Sequence, residues 1–275
     1  MPGLIFDCDG VLVDSETALQ LNAFNEVWRE QGIPWRWSRD EYTRLTKISG
    51  GKERLESLYD DVAFRTVFRV PEDRAAFKQI VSAWHRRKTE IYVENVRRGC
   101  LTARPGVKRL AEEALERGWR LGVASSGAPE AVLAVIKSVI GPQLTEKFVI
   151  LSGEVVARKK PAPDIYIAMA RALQLRPEAC IAIEDTVNGM VSACAAGMHC
   201  IVTPTSATAH FSFPQAVWVI SCLGDPGGQV MKPLSAPVNF ERSWLTIDDL
   251  GGLVLKSTSH RSQFASTDGR RSNSP

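Results

Sequence analysis

The stretch Leu4-Ile5-Phe6-Asp7-Cys8-Asp9-Gly10 constrains this chain more than any other. A short apolar run that ends in two acids one residue apart, then a glycine, reads as a buried strand with paired carboxylates at its C-terminal tip. Open α/β sheets bind their ligands at such tips. Two carboxylates crowded there raise each other's pKa unless a cation stands between them, and hard oxygen ligands favour magnesium. One can then bind the metal and attack an electrophile while the other carries a proton. The competing reading is an ordinary Asp/Gly turn after a strand.

Composition narrows the function classes. At 275 residues and 44% hydrophobic content, the chain can bury one large core or two modest ones. The formal net charge of +3 is accounted for by Lys256, Arg261, Arg270 and Arg271 against Asp268, so the rest is formally neutral and carries no basic stripe for nucleic acid. The cysteines (Cys8, Cys100, Cys180, Cys194, Cys200, Cys222) form no Cys-x-x-Cys pair, which argues against a zinc site and a disulfide scaffold and for a reducing compartment. No apolar run reaches membrane-spanning length, and the first strand follows Met1 too closely for a signal or transit peptide. The expected location is cytoplasmic, or plastid stroma if a transit peptide has been removed.

Beyond the first strand the pattern turns helical. Leu21, Phe24 and Trp28 recur at helical spacing before Gly32-Ile33-Pro34, and Ser38 is expected to cap a helix through Leu45 with Asp40 and Glu41 in its first turn. A loop Ser49-Gly50-Gly51-Lys52-Glu53-Arg54 is expected next, then a helix opening at Leu55, Leu58 and Tyr59 and another striped by Phe77, Ile80, Trp84 and Ile91. Residues 15–98 thus read as a helical insertion with its own small core. Gly50-Gly51-Lys52 resembles part of a phosphate loop, but the preceding spacing is wrong and Glu53 stands where Ser or Thr is required. Lys52 and Arg54 could clamp a phosphate from a flexible loop or simply begin a solvated helix. The run His85-Arg86-Arg87-Lys88 reads as a solvated helix face.

From Pro105-Gly106 onward, strand and helix alternate up to about residue 203. Apolar strands end in Ser125-Ser126-Gly127, in the stretch before Lys159-Lys160-Pro161, and in Glu184-Asp185. Ser125 could bind a phosphoryl oxygen or cap the following helix, and Pro161 and Pro163 after the lysine stiffen its loop. Alternation of this kind indicates a doubly wound parallel α/β sheet, in which strand tips share one edge. Asp7, Asp9, Ser125, Lys160, Glu184 and Asp185 can then converge.

These motifs in this order resemble the haloacid dehalogenase (HAD) superfamily of phosphotransferases, over roughly residues 3–204, with the helical insertion in the position of its cap domain. The resemblance implies a catalytic core of residues 1–14 and 99–255, a cap of 15–98 and hinges at 14–16 and 99–105. Asp7 would be the nucleophile that forms an aspartyl-phosphate, and Asp9 the general acid and base. Magnesium would be held by Asp7, the Asp9 carbonyl and Asp185, with Glu184 in or next to the shell. Ser125 and Lys160 would bind the transferring phosphoryl group. The presence of Asp9 disfavours dehalogenation, which has no alkoxide to protonate.

Glu16, Trp37-Ser38-Arg39-Asp40-Glu41-Tyr42, Gly50-Gly51-Lys52-Glu53-Arg54 and His85-Arg86-Arg87-Lys88-Thr89 are similar in particular to the CbbY subfamily of sugar-bisphosphate phosphatases. That resemblance implies xylulose 1,5-bisphosphate, a Rubisco-inhibiting misfire product, as substrate. Lys52 and Arg54 would clamp its second phosphate and Glu16 a sugar hydroxyl, with Gly50, Gly51, Glu53 and Ser126 as further substrate contacts. A monomer acting on a small sugar phosphate, with no nucleic-acid or membrane partner, is expected. A β-phosphoglucomutase-like mutase shares every core residue, and a catalytically silent sugar-phosphate-binding protein would use the same cleft. The Pro/Gly-rich stretch 205–245 does not fit the family pattern, Trp218-Val219-Ile220 reads as a last edge strand, and 256–275 reads as a disordered tail.

Overall fold

The first apolar run forms β1 (Gly3–Phe6), and Leu4, Ile5 and Phe6 are entirely buried because both faces of the strand are covered. Such burial belongs to parallel sheets clad by helices on both sides. In the computed structural model of the chain, which describes residues 1–15, 19–153, 155–235 and 240–254, β1 lies inside a six-stranded parallel sheet. Its partners are β2 (Arg120–Ser125), β3 (Phe148–Ser152), β4 (Cys180–Glu184), β5 (His199–Val202) and β6 (Trp218–Val219), in the order β3-β2-β1-β4-β5-β6. Phe6 stands level with Val123 of β2 and Ile183 of β4. This register delivers the residues after β1, β2 and β4 to one edge, at the point where the strand order switches direction. The expected doubly wound α/β class is borne out.

Among the described residues, the insertion that precedes α6 (Val107–Glu116) and β2 carries α1 (Leu21–Glu30), α2 (Arg39–Leu45), α3 (Gly51–Glu56), α4 (Val62–Val67) and α5 (Arg74–Arg97). Ser38 caps α2 as expected, in a full capping box with Glu41. The expected loop at 50–54 is instead the first turns of α3. Gly50 supplies the turn with φ +98°, a conformation that side chains resist, and Lys52-Glu53-Arg54-Leu55-Glu56 are strong helix formers. The stripe of Phe77, Trp84 and Ile91 lies on α5 and is buried, while Ile80 is half-buried.

The insertion's interior is aromatic. Trp28 and Trp37 meet edge to face with centroids 4.7 Å apart, and Phe24 and Tyr42 complete their group. Phe64 and Trp84 form a second centre at 6.1 Å. Pairs of this kind add about 0.5–1.5 kcal/mol each beyond area burial. Against expectation, this is no separate small core: it is continuous with the apolar cluster on one face of the sheet. The reason is that α5 packs along α7, on the core side of the molecule.

That sheet face carries Leu4, Phe6, Leu121, Val123, Ile181, Ile183 and Ile201 against α6 (Val107–Glu116) and α7 (Pro129–Ile140), with the short α8 (Pro142–Thr145) after them. The opposite face carries Ile5, Ala124, Ala182, Cys200 and Val202 against α9 (Asp164–Ala172) and α10 (Val187–Ala195). Of the stretch 205–245, Trp218-Val219 is the expected edge strand, parallel to β5. Much of the remainder packs on α6, where Arg109 donates to the carbonyls of Leu223, Gly224 and Leu245. A final helix spans 247–254. The tail expected to be disordered, 256–275, lies outside the described residues.

Candidate active site

Asp7 directly follows β1, and its N–H donates to the Ile183 carbonyl at 3.0 Å, which extends the strand pairing by one residue. Its carboxylate accepts from the Lys160 ammonium at 2.6 Å. Burial pushes the Asp7 carboxyl up to about 8, with Lys160 opposing that rise and the neighbouring Glu184 adding to it. A cation among these acids would reverse the balance and favour the ionised form that a nucleophile requires.

Lys160 is the electrostatic centre of the site. Its Nζ also donates to Glu184 Oε1 at 2.6 Å and to the Ala124 carbonyl at 2.9 Å, with its side chain only 5% exposed. Burial works against its charge, but Asp7 and Glu184 outweigh burial and hold its pKa above the ordinary lysine value. Tyr166 on α9 donates to Glu184 Oε1 at 2.5 Å, so Glu184 is oriented from two sides.

Asp7, Glu184 and Asp185 each offer a carboxylate oxygen, all within 4.8 Å of one another. Three buried acids face a single buried lysine, and the donor set is all hard oxygen, which fits a divalent cation such as magnesium. Gly10, at φ +85°, makes room for the Asp185 carboxylate: a Cβ there would sit 2.0 Å from Asp185 Oδ2.

Asp9 points the other way, toward the insertion. Its Oδ1 accepts from Ser15 Oγ at 2.5 Å and Gln20 Nε2 at 2.9 Å, with Tyr92 OH at 3.4 Å. Lys88 donates to Gln20 Oε1 and lies over the rings of Phe24 and Tyr92, at 4.8 and 5.2 Å. Ser125, at the tip of β2, is 1% exposed, and its Oγ accepts from the Gly127 N–H at 3.1 Å. It does not cap α7; Ala128 occupies that position without a side-chain bond.

One cavity joins the strand tips to the insertion. Asp7, Asp9, Ser125, Ser126, Lys160 and Asp185 line its floor, and Gly50, Gly51, Arg54, His85 and Lys88 line its far side. Arg54 is 8% exposed and fixed by bonds to the Ile48 carbonyl (3.0 Å) and Tyr42 OH (2.7 Å). Lys52 lines an adjoining cavity with Arg86 and Arg97 rather than this one. Glu53 pairs with Lys159 at 2.6 Å across the two halves of the molecule, and Asn188 donates to the Lys47 carbonyl at 2.8 Å. Glu16 lies outside the described residues.

The expectation that His85-Arg86-Arg87-Lys88 forms a solvated face is corrected: Arg86 is exposed and Arg87 pairs with Glu30 at the surface, but Lys88 is buried and His85 abuts Gly51. Lys88 falls four residues after Trp84 and three before Ile91, on the apolar stripe itself, and that spacing was the available signal. Gln20 and Tyr92 were also missed; Gln20 precedes Phe24 by four residues and so shares its buried face.

A parallel sheet with this set of strand-tip groups defines a hydrolase that works through phosphoryl transfer. The family model for haloacid dehalogenase-like hydrolases matches residues 1–197, and the chain belongs to that family as a phosphatase. Within it the chain is CbbY-like. It is 42% identical to protein CbbY of Cupriavidus necator over 229 residues, covering 82% of this chain and 87% of that protein. It is 39% identical to the CBBY-like protein of Arabidopsis thaliana over 223 residues, covering 81% and 69% of the two chains. The crystal structure of a CbbY mutant from Rhodobacter sphaeroides in complex with xylulose-(1,5)bisphosphate matches at a TM-score of 0.72 and 36% identity, over 81% of this chain and 95% of that one. No helix among the described residues is long and apolar enough to cross a membrane.

Proposed function

We propose that the chain is a magnesium-dependent phosphatase of a small sugar bisphosphate, converting xylulose 1,5-bisphosphate to xylulose 5-phosphate. The observation that carries this reading is one cavity lined by cations of both parts: Lys160 beside Asp7 on the floor, and Arg54 of the insertion. A bisphosphate presents two dianions and needs both. The relative from Rhodobacter sphaeroides, crystallised with xylulose-(1,5)bisphosphate, has the same fold and 36% identity.

In this reading residues 15–98 act as a cap over a core of 1–14 and 99–255. Asp7 attacks phosphorus, the bond from phosphorus to the ester oxygen breaks, and the departing alkoxide takes a proton from Asp9. Asp9 then removes a proton from water, which attacks the aspartyl-phosphate and restores Asp7 with release of phosphate. Ser125 and Lys160 bind the transferring oxygens, and Lys160 offsets their charge. Magnesium, held by Asp7, the Asp9 carbonyl and Asp185 with Glu184 beside them, would supply the neutralisation that lets one anion approach another. Ser15, Gln20 and Tyr92 hold Asp9 toward the leaving group. Every group named here comes from one chain, so a monomer suffices.

The test is phosphate release from xylulose 1,5-bisphosphate and from a sugar monophosphate, by wild type and Arg54→Ala. The variant should raise KM for the bisphosphate by on the order of tenfold, the loss of one charge-assisted contact, and change the monophosphate little. Equal effects on both substrates would refute the second-phosphate role of Arg54. Conversion of a hexose 1-phosphate without phosphate release would select the mutase instead.

A further inference from the structure

Arg104 lies between α5 and α6, in the strand of chain that returns from the helical insertion to the sheet. This return runs beside the outgoing one: Val13 bridges Ala103 in antiparallel fashion, and the Arg104 N–H donates to the Leu12 carbonyl at 2.9 Å. The side-chain hydrogen bonds of Arg104 go to backbone carbonyls and to one hydroxyl. Nη1 donates to the Gly10 carbonyl, to the Thr203 carbonyl at 2.6 Å and to Thr203 Oγ1 at 3.1 Å. Nη2 donates to the carbonyls of Pro204 at 3.2 Å and Ser221 at 3.1 Å.

These acceptors are not a random set. Gly10 belongs to the loop after β1, whereas Thr203 and Pro204 follow β5, and β4 lies between those two strands. The guanidinium therefore reaches across the tip of β4, where Asp185 sits. Thr203 is itself tied to that tip, its N–H donating to the Glu184 carbonyl at 2.7 Å. On the other side, the Gly10 carbonyl belongs to the residue directly after Asp9, and the Gly10 Cα is pressed against the Asp185 carboxylate. The Gly10 N–H donates to the Val13 carbonyl at 2.7 Å, which sets the Asp9–Gly10 peptide plane and with it the direction of the Asp9 carbonyl, and the Arg104 bond to the Gly10 carbonyl holds that turn against Asp185. The five donors of a planar, rigid fork reach acceptors spread over a wider span than those around a lysine's single compact ammonium.

We propose that Arg104 is a positioning residue that clamps the β1 and β5 loops across β4 and so sets the spacing between the Asp9 carbonyl and Asp185 for the metal. This rests on the proposed metal-dependent reading. Its role is distinct from that of Arg109, whose side chain also donates to backbone carbonyls, those of Leu223, Gly224 and Leu245, but only in the C-terminal stretch.

The experiment is calorimetric titration of magnesium into the full chain without substrate, for wild type, Arg104→Lys, Thr203→Val and Arg109→Lys, followed by kcat and KM at saturating magnesium. Arg104→Lys should weaken magnesium binding by about 10–100-fold, as for other groups that orient metal ligands, with KM for the bisphosphate unchanged. Thr203→Val, which removes one acceptor, should shift it the same way by roughly 2–3-fold, about half a kcal/mol. Arg109→Lys should lower the unfolding temperature but leave magnesium binding at the wild-type value. Equal weakening in Arg109→Lys, or wild-type binding in Arg104→Lys, would overturn the proposal. If Arg104→Lys does not fold, Thr203→Val decides, and unchanged binding there overturns it. A wild type that binds no magnesium would overturn the metal reading itself, a separate and recognisable failure.

Discussion

Replacing Lys160 by methionine keeps the side chain's length and apolar stem but removes the ammonium that sits 2.6 Å from both Asp7 and Glu184. The Lys160 and Glu184 side chains are 5% and 1% exposed, and that of Asp7 is 13% exposed, so water cannot take over the lost contact. Removing one partner of a buried ion pair costs about 3–5 kcal/mol, because the remaining charge stays desolvated. For a chain of this size that corresponds to a fall in Tm of roughly 6–20 °C. Magnesium bound among the acids would restore part of the missing positive charge, so the deficit should shrink as magnesium rises. Thermal unfolding of wild type and Lys160→Met with and without magnesium is the assay. A deficit under about 1 kcal/mol without metal, the value of an exposed pair, would refute the reasoning, as would a deficit indifferent to magnesium. Turnover at saturating magnesium should fall by on the order of 10²–10³, the usual loss for one donor aimed at developing charge.

Gly10→Ala should abolish turnover, because its Cβ would fall 2.0 Å from Asp185 Oδ2 on a backbone at φ +85°; a steady-state assay showing more than a tenth of wild-type kcat would contradict this. Gln20→Leu removes the donor at 2.9 Å to Asp9 and the acceptor for Lys88, so kcat should fall by roughly tenfold, one hydrogen bond to a charged group, with KM little changed. The Glu53 to Lys159 pair is partly exposed, at 39% and 19%, so Lys159→Ala should change unfolding free energy by no more than about 1 kcal/mol in urea titrations. Because that pair joins the two halves of the molecule, the same variant should raise KM more than it lowers kcat. A Trp28→Ala variant should lose about 3–5 kcal/mol, since Trp28 is fully buried against Trp37 and Phe24 and the space cannot refill.

The strand tips were legible because strand burial and acid placement are local: Leu4-Ile5-Phe6 must be covered on both faces, and parallel pairing then sets Asp7 level with Ala124 and Glu184, one residue before Ser125 and Asp185. Lys160 was found because the prolines after it mark a stiff loop, although its double pairing with Asp7 and Glu184 depends on distances no spacing encodes. The insertion was less legible. Its charged residues were read by the habit that charge means solvent, yet Lys88 lies on the buried side of α5 with its ammonium over two aromatic rings. Arg54 was read as a loop cation and turned out to be a helical, buried one, because Gly50 starts α3 earlier than the apolar pattern does. Arg104 gave no signal at all: apart from the Thr203 hydroxyl its partners are backbone carbonyls from three distant segments, and backbone groups leave no trace in side-chain patterning.

The most direct test of the central claim is phosphate release from xylulose 1,5-bisphosphate by wild type and Asp7→Asn, each with magnesium and with magnesium chelated. Release by wild type only, and only with magnesium, is the predicted result. Release that survives Asp7→Asn or persists under chelation would contradict the account, as would a wild type that leaves this substrate intact.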